Sequence, residues 1–259
     1  MKTKYHWLAA AAAVALIGAY PVQAQQTANP LMTKSRAPFG APEFGKIKNH
    51  HFKPALKWAI EKHRREIGTI AGSKQAPDFG NTIAALDYSG EDLVRVASIF
   101  FNLNSACTSP SLQLLARTIA PMLSKHRDDI LLDRKLFLRV KAVYDARTTA
   151  KLNAEQLRLV EETYRDFIRS GISLGKEEQK RLRQINQELS VLALKFQDNV
   201  MAETAAFKLV LESEDDLAGL PAGVIAAAAQ EAQGMKLPGK WAFTLDKPSA
   251  IPFFQFSSK

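Results

Sequence analysis

The sequence predicts a mainly α-helical protein with a short two-strand element near its C-terminal end. Three observations predict it. Apolar residues recur at spacings of three and four from residue 52 to about residue 206. Ser, Asp, Asn, Gly and Pro interrupt that pattern where helix caps and turns belong. Only two short segments, 207–211 and 241–245, alternate as strands do.

The first residues form a separate unit. Lys2 and Lys4 precede an apolar run from Trp7 to Ala19, and Val22-Gln23-Ala24 places small side chains at the positions a signal peptidase reads. A signal peptide over 1–24 is expected, with cleavage between Ala24 and Gln25. The run is shorter than the ~20 apolar residues of a membrane-spanning helix, and Pro21 interrupts it. No cysteine follows to carry a lipid. The expected protein is exported to the periplasm without a stable membrane anchor.

Residues 25–51, rich in Pro, Gly, Gln and Asn, read as an extended lead-in with little regular structure. A helical domain over 52–206 follows. Its first helix carries Phe52, Leu56, Ala59, Ile60, Ile67 and Ile70 on one stripe, with Pro54 tolerated in the first turn. A short helix over Phe79–Leu86 closes at Ser89-Gly90. The next helix runs from Glu91 to about Ala106 and holds Leu93, Val94, Ala97, Phe100, Phe101 and Asn104. Thr108 or Ser109 caps a fourth, Pro110 sits in its first turn, and Leu114, Leu115, Ile119, Met122 and Leu123 are expected inside. Asp133 caps a fifth, carrying Leu136, Phe137, Val140 and Tyr144. Asn153, with Gln156 three residues on, caps a sixth.

The longest helix starts near Lys176. Its residues Leu182, Ile185, Leu189, Leu192 and Phe196 are spaced 3, 4, 3, 4, a seam too short to argue for a coiled-coil dimer. Gly171 and Gly175 allow a turn before it, so the seam is expected to be buried in a hairpin with the sixth helix. Beyond it, Phe207–Leu211 and Trp241–Leu245 form one small sheet around an Ala-rich helix over Pro221–Gln233. The Pro-interrupted segment DKPSAIPFFQFSSK ends the chain. That ending on an apolar run predicts that 207–259 is the start of a linker or further lobe, cut short.

Composition excludes several functions. Without Lys2 and Lys4 the 35 basic residues become 33 against 26 acidic ones, an excess of 7. Both signs mix along KEEQKRLRQINQE and EKHRREIG, which describes solvated helix faces, so no nucleic-acid partner is expected. Cys107 is the sole cysteine, so no internal disulfide forms; it reads as a small buried residue. Past residue 24 the histidines are His50, His51, His63 and His126, and none are four apart, so no His-Glu-x-x-His zinc site can be written. His50-His51 suit a loop or cap, and His63 and His126 lie among Arg and Lys as exposed surface would. The pairs Asp128-Asp129 and Asp215-Asp216 read as caps or solvated charge. No Gly-x-Gly-x-x-Gly, Walker loop, Gly-x-Ser-x-Gly or Cys-x-x-Cys occurs. The chain is expected to contain no catalytic and no metal-binding residue, and no substrate-binding residue stands out.

Six strings carry a resemblance. NPLMTKSRAPFGAPEFGKIKNHHFKPALKWAIEKHRREIGTI looks like the start of a mature bacterial peptidyl-dipeptidase of the thimet oligopeptidase family. FGNTIAALDYSGEDLVRVASIFFNLNSACTSPSLQ is similar to that family's second and third helices. LNAEQLRLVEETYRDFIRSGISL and KEEQKRLRQINQELSVLALKFQDNV resemble its long helical hairpin, while LAGLPAGVIAAAA and WAFTLDKPSAIPFFQFSS look like its linker into the catalytic half. The resemblance spans about residues 29–259 and rests on the six strings in order.

It implies an N-terminal lobe forming one wall of a deep channel that admits short, unfolded peptides. In such a family the continuation supplies His-Glu-x-x-His, a glutamate ligand, and the groups that steady the tetrahedral intermediate. There zinc polarises the scissile carbonyl and the motif glutamate acts as general base. The resemblance thus implies zinc in the full-length parent, none on this chain, and a C-terminal catalytic half as partner in cis. A free-standing exported helical binding or scaffold domain is the alternative. The reading frame after codon 259 separates the two.

Overall fold

Local caps set where the helices start in the computed structural model, which describes residues 29–259. The expected signal segment 1–24, its expected Ala24–Gln25 junction and the first residues of the lead-in lie outside the described residues. Ser109 accepts a hydrogen bond from the Leu112 N–H, Asp133 from Lys135 and Leu136, and Asn153 exchanges side-chain and backbone bonds with Gln156. Each satisfies donors that a helix start leaves free. His51 has the capping role open to it, its Nδ1 accepting from the Lys48 N–H at 3.1 Å.

The helices are α1 (Asn49–Gly72), α2 (Ala85–Asp87), α3 (Glu91–Ala106), α4 (Pro110–Leu131), α5 (Arg134–Asp145), α6 (Ala154–Arg169) and α7 (Lys176–Ala206). A π-helical turn over Phe79–Ala84 leads directly into α2. Then come β1 (Leu209–Leu211), α8 (Ala222–Gly234), β2 (Trp241–Phe243) and α9 (Lys247–Phe256). The strands pair antiparallel, with Val210 opposite Ala242. The fold is mainly helical with a two-stranded sheet near its end, as the apolar periodicity requires. The terminal segment differs: 247–256 is a helix, because Pro248 falls in its first turn, where no N–H is needed.

α1 is shared by two cores. Phe52, Ala55 and Leu56 meet Val96 and Phe100 of α3 and Leu112, Ala116 and Ile119 of α4. Ile67 and Ile70 meet Leu136, Val140 and Val143 of α5 and Val160 and Phe167 of α6. Leu217, Leu220, Ala228 and Phe243 form a third cluster. The lead-in is not merely extended: it makes three single 3₁₀ turns, and Leu31, 1% exposed, plugs the first core.

Several expected faces are rotated. Leu114 and Val94 are exposed, while Leu112, Ala116, Val143 and Arg139 take inward positions. Cys107 is exposed, because α3 ends at Ala106 and the chain leaves the core there. The largest change is in α7. It packs along α4, not α6, and it carries no fully buried residue. Arg183 bonds Asp129 at 2.8 Å, Asn186 bonds Asp128 at 2.8 Å, Arg117 reaches Asp198 at 3.0 Å, and Leu194 packs on the first core. At 100° per residue the seam lies roughly 140° around the helix from that face. Leu189 is therefore 56% exposed and Phe196 72%.

Candidate functional site

Two features place chemistry-bearing side chains in defined surroundings. The first is the uncovered face of α7. Ile185, Leu189, Leu192, Phe196 and Val200 are all exposed and recur at helical spacing. Isolated exposed apolar residues are ordinary, but a contiguous stripe of them marks a contact surface. Phe254 and Phe256 of α9 are exposed as well.

The second is a polar chain linking α1, α4 and the turn before α3. His126 is 4% exposed and His63 is half-buried, so neither is the open surface residue that its charged neighbours in sequence imply. Tertiary packing brings together two histidines that lie 63 residues apart, and no sequence spacing reveals that. Ser89 Oγ donates to the Leu86 carbonyl at 2.6 Å. With its one proton so used, Ser89 accepts from His63 Nε2 at 3.0 Å. His63 Nδ1 is then an acceptor and takes its bond from His126 Nε2, also at 3.0 Å. His126 Nδ1 is left unprotonated, buried and without a partner.

Protonating that ring would bury an unpaired cation. Burial, followed by the neighbouring His63 and Arg64, holds His126 down to about 4, against the opposing pull of Asp129 and Glu61. Burial lowers His63 too. Gly90 closes the arrangement: its φ is +76°, and a Cβ there would stand 2.7 Å from His63 Nδ1. Its N–H donates to Glu66 at 2.8 Å.

This donor set does not fit a zinc ion. The facing nitrogens of His63 and His126 are committed to each other, and His63 Nε2 to Ser89. Among the described residues no three His, Cys, Asp or Glu side chains converge on a point that a metal could occupy. His50 and His51 meet edge to face in the first turn of α1, more than three helical turns before His63 on the same helix. The first acid pair has another role than expected. Asp128 is buried and held by Asn186, and Asp129 bonds Lys125 and Arg183, because α7 covers this part of α4. Asp215 and Asp216 fall in the first turn of a 3₁₀ helix (Glu214–Leu217), with Asp215 exposed, in keeping with capping or solvated charge. Asp216 pairs with Lys259. Among the described residues no helix is long and apolar enough to cross a membrane.

No protein-family model matches the chain. Its similarity to characterised proteins points to one class, the peptidases. It is 37% identical to dipeptidyl carboxypeptidase of Escherichia coli over 219 residues, which cover 85% of this chain and 32% of that protein. The Salmonella typhimurium dipeptidyl carboxypeptidase is 36% identical over 213 residues, 82% of this chain and 31% of its own length. Oligopeptidase A of E. coli is 31% identical over 228 residues, 88% of this chain and 33% of its own. The chain is thus homologous over most of its length to peptidases of the thimet oligopeptidase family. It spans about a third of the length of these relatives.

Proposed function

We propose that the chain is the N-terminal, channel-wall lobe of an exported zinc-dependent oligopeptidase or peptidyl-dipeptidase that degrades short peptides, and that it is inert by itself. The observation that carries this is the uncovered apolar face of α7 in a chain homologous to peptidases three times as long. Covering a Leu or Phe side chain fully contributes ~1.5–3 kcal/mol, so such a stripe favours a packed neighbour. In this reading the neighbour, seated over Leu192, Phe196 and Val200, is a catalytic half in cis, which supplies His-Glu-x-x-His and its zinc. This lobe contributes a wall and no step of the chemistry. Export rests on residues 1–24, and N-terminal sequencing of protein from an exporting host should begin at Gln25; an intact Met1 on membrane-held protein would mean an anchor instead.

The main test uses the purified chain, metal analysis and a quenched-fluorescent peptide. No turnover and no tightly held zinc are expected, with hydrolysis appearing when a catalytic half is added as a separate polypeptide. One zinc per chain with chelator-sensitive turnover would overturn the reading. Absence of any gain on adding the catalytic half would favour the alternative, a free-standing binding or scaffold domain.

A further inference from the structure

A cleft of about 580 Å³ opens where the C-terminal half of α4, the end of α6 and the first half of α7 meet. Asp128 lines it and is 7% exposed. One of its carboxylate oxygens accepts from Asn186 at 2.8 Å, and the other, Oδ2, has no partner. No Lys, Arg or His lies within salt-bridge distance of it among the described residues. A buried carboxylate oxygen without a donor costs stability until a donor reaches it.

The remaining walls show what would complete it. Arg127 and Arg169 line the same cleft, are exposed, and form no ion pair among those found in the described residues. Leu182 and Leu189 supply an apolar side. The C-terminal end of α6, the electronegative end of its dipole, borders the cleft through Arg169 and Ser170. Donors are thus wanted at Asp128 and acceptors at the guanidiniums. A phosphate or nucleic-acid strand suits the arginines but is repelled by Asp128. A bare divalent cation finds one carboxylate and two repelling guanidiniums. A ligand with an ammonium, an apolar body and a carboxylate answers Asp128, the two leucines and the two guanidiniums in turn, the full charge of Arg169 outweighing the partial negative charge of the α6 end, and the volume is within the usual range for small-ligand sites.

We propose that this cleft is a subsite for a short peptide with free termini. Its α-ammonium binds Asp128, a side chain lies against Leu182 and Leu189, and its carboxylate is held by Arg127 and Arg169. The guanidiniums suit that role because their paired N–H groups match a carboxylate. The choice of a peptide rests on the peptidase reading above; the amphoteric chemistry stands on the cleft itself.

The test is a chemical-shift titration of the full chain with Ala-Leu-Ala, its N-acetylated form and its C-amidated form. The free tripeptide should perturb residues around Asp128 and Leu189 with a Kd of about 1–10 mM. Blocking either end should weaken binding about tenfold or more, the loss expected for one charge-assisted contact. An Asp128→Asn variant should bind the free and acetylated peptides alike. Equal affinity for all three peptides, or no saturable shift near the cleft, would overturn the subsite, and this ligand series decides the matter even if the variant does not fold. The two proposals fail separately: binding here without hydrolysis in the reconstituted assay removes the peptidase reading, whereas hydrolysis without binding here removes the subsite.

Discussion

Replacing His126 by Gln should remove much of the acid sensitivity of the fold. The Gln side chain places an amide N–H near the position of His126 Nε2, so it preserves donation to His63 Nδ1 while eliminating the titrating ring. The native ring sits at about 4, against an ordinary value of 6.5. A histidine depressed in the folded state is protonated more readily in the unfolded chain. Its contribution is therefore fully present above pH 6.5 and is lost as pH falls through 6.5 towards 4. The full difference corresponds to about 3 kcal/mol, and between pH 7 and pH 5 the loss is about 2 kcal/mol. His63 acts in the same direction but is retained in the variant, so the comparison isolates His126. Urea denaturation at pH 7, 6 and 5 measures it. The parent midpoint should fall by about 1 M more than that of the variant over this range. Parallel falls would refute the assignment of a buried, neutral, partnerless Nδ1.

Arg139 offers a second test. It is buried without a carboxylate, donating through one terminal nitrogen to the Ser73 and Gln75 carbonyls and through the other to Asn81 and Thr82. Arg139→Met should cost about 3 kcal/mol in chemical denaturation, because several acceptors lose their donor at once. Arg139→Lys should recover less than half of that, since one ammonium cannot span both pairs; full recovery would show that charge alone matters. On α7, Leu189→Ala should change stability by no more than about 0.5–1 kcal/mol in this chain, where a buried leucine would lose ~2–5 kcal/mol. A large loss would mean that the seam is covered in solution.

The extent of most helices is legible in the sequence because it is decided locally. A Ser, Asp or Asn side chain bonds the N–H two or three residues on, and glycine or proline acts on its own backbone. Ser109, Asp133 and Asn153 therefore mark α4, α5 and α6 without knowledge of the rest of the chain. The α1 stripe from Phe52 to Ile70 is equally readable, because one face of that helix is covered along its whole length. Pro252 misleads for the opposite reason: it suggests a break in the terminal segment, yet α9 is a helix with this proline inside it.

What the sequence does not contain is the partner of each face. Apolar periodicity says that Ile185, Leu189, Leu192 and Phe196 share a side of α7, but it cannot say that α4 takes the opposite side through ion pairs and amide contacts. Those contacts are made by residues such as Arg183, Asn186 and Asp198, which read as solvent-facing in any linear pattern. The His63–His126 chain and the orphaned oxygen of Asp128 arise in the same way. Desolvation and hydrogen-bond partners are properties of the space between helices, and only their packing against one another decides them.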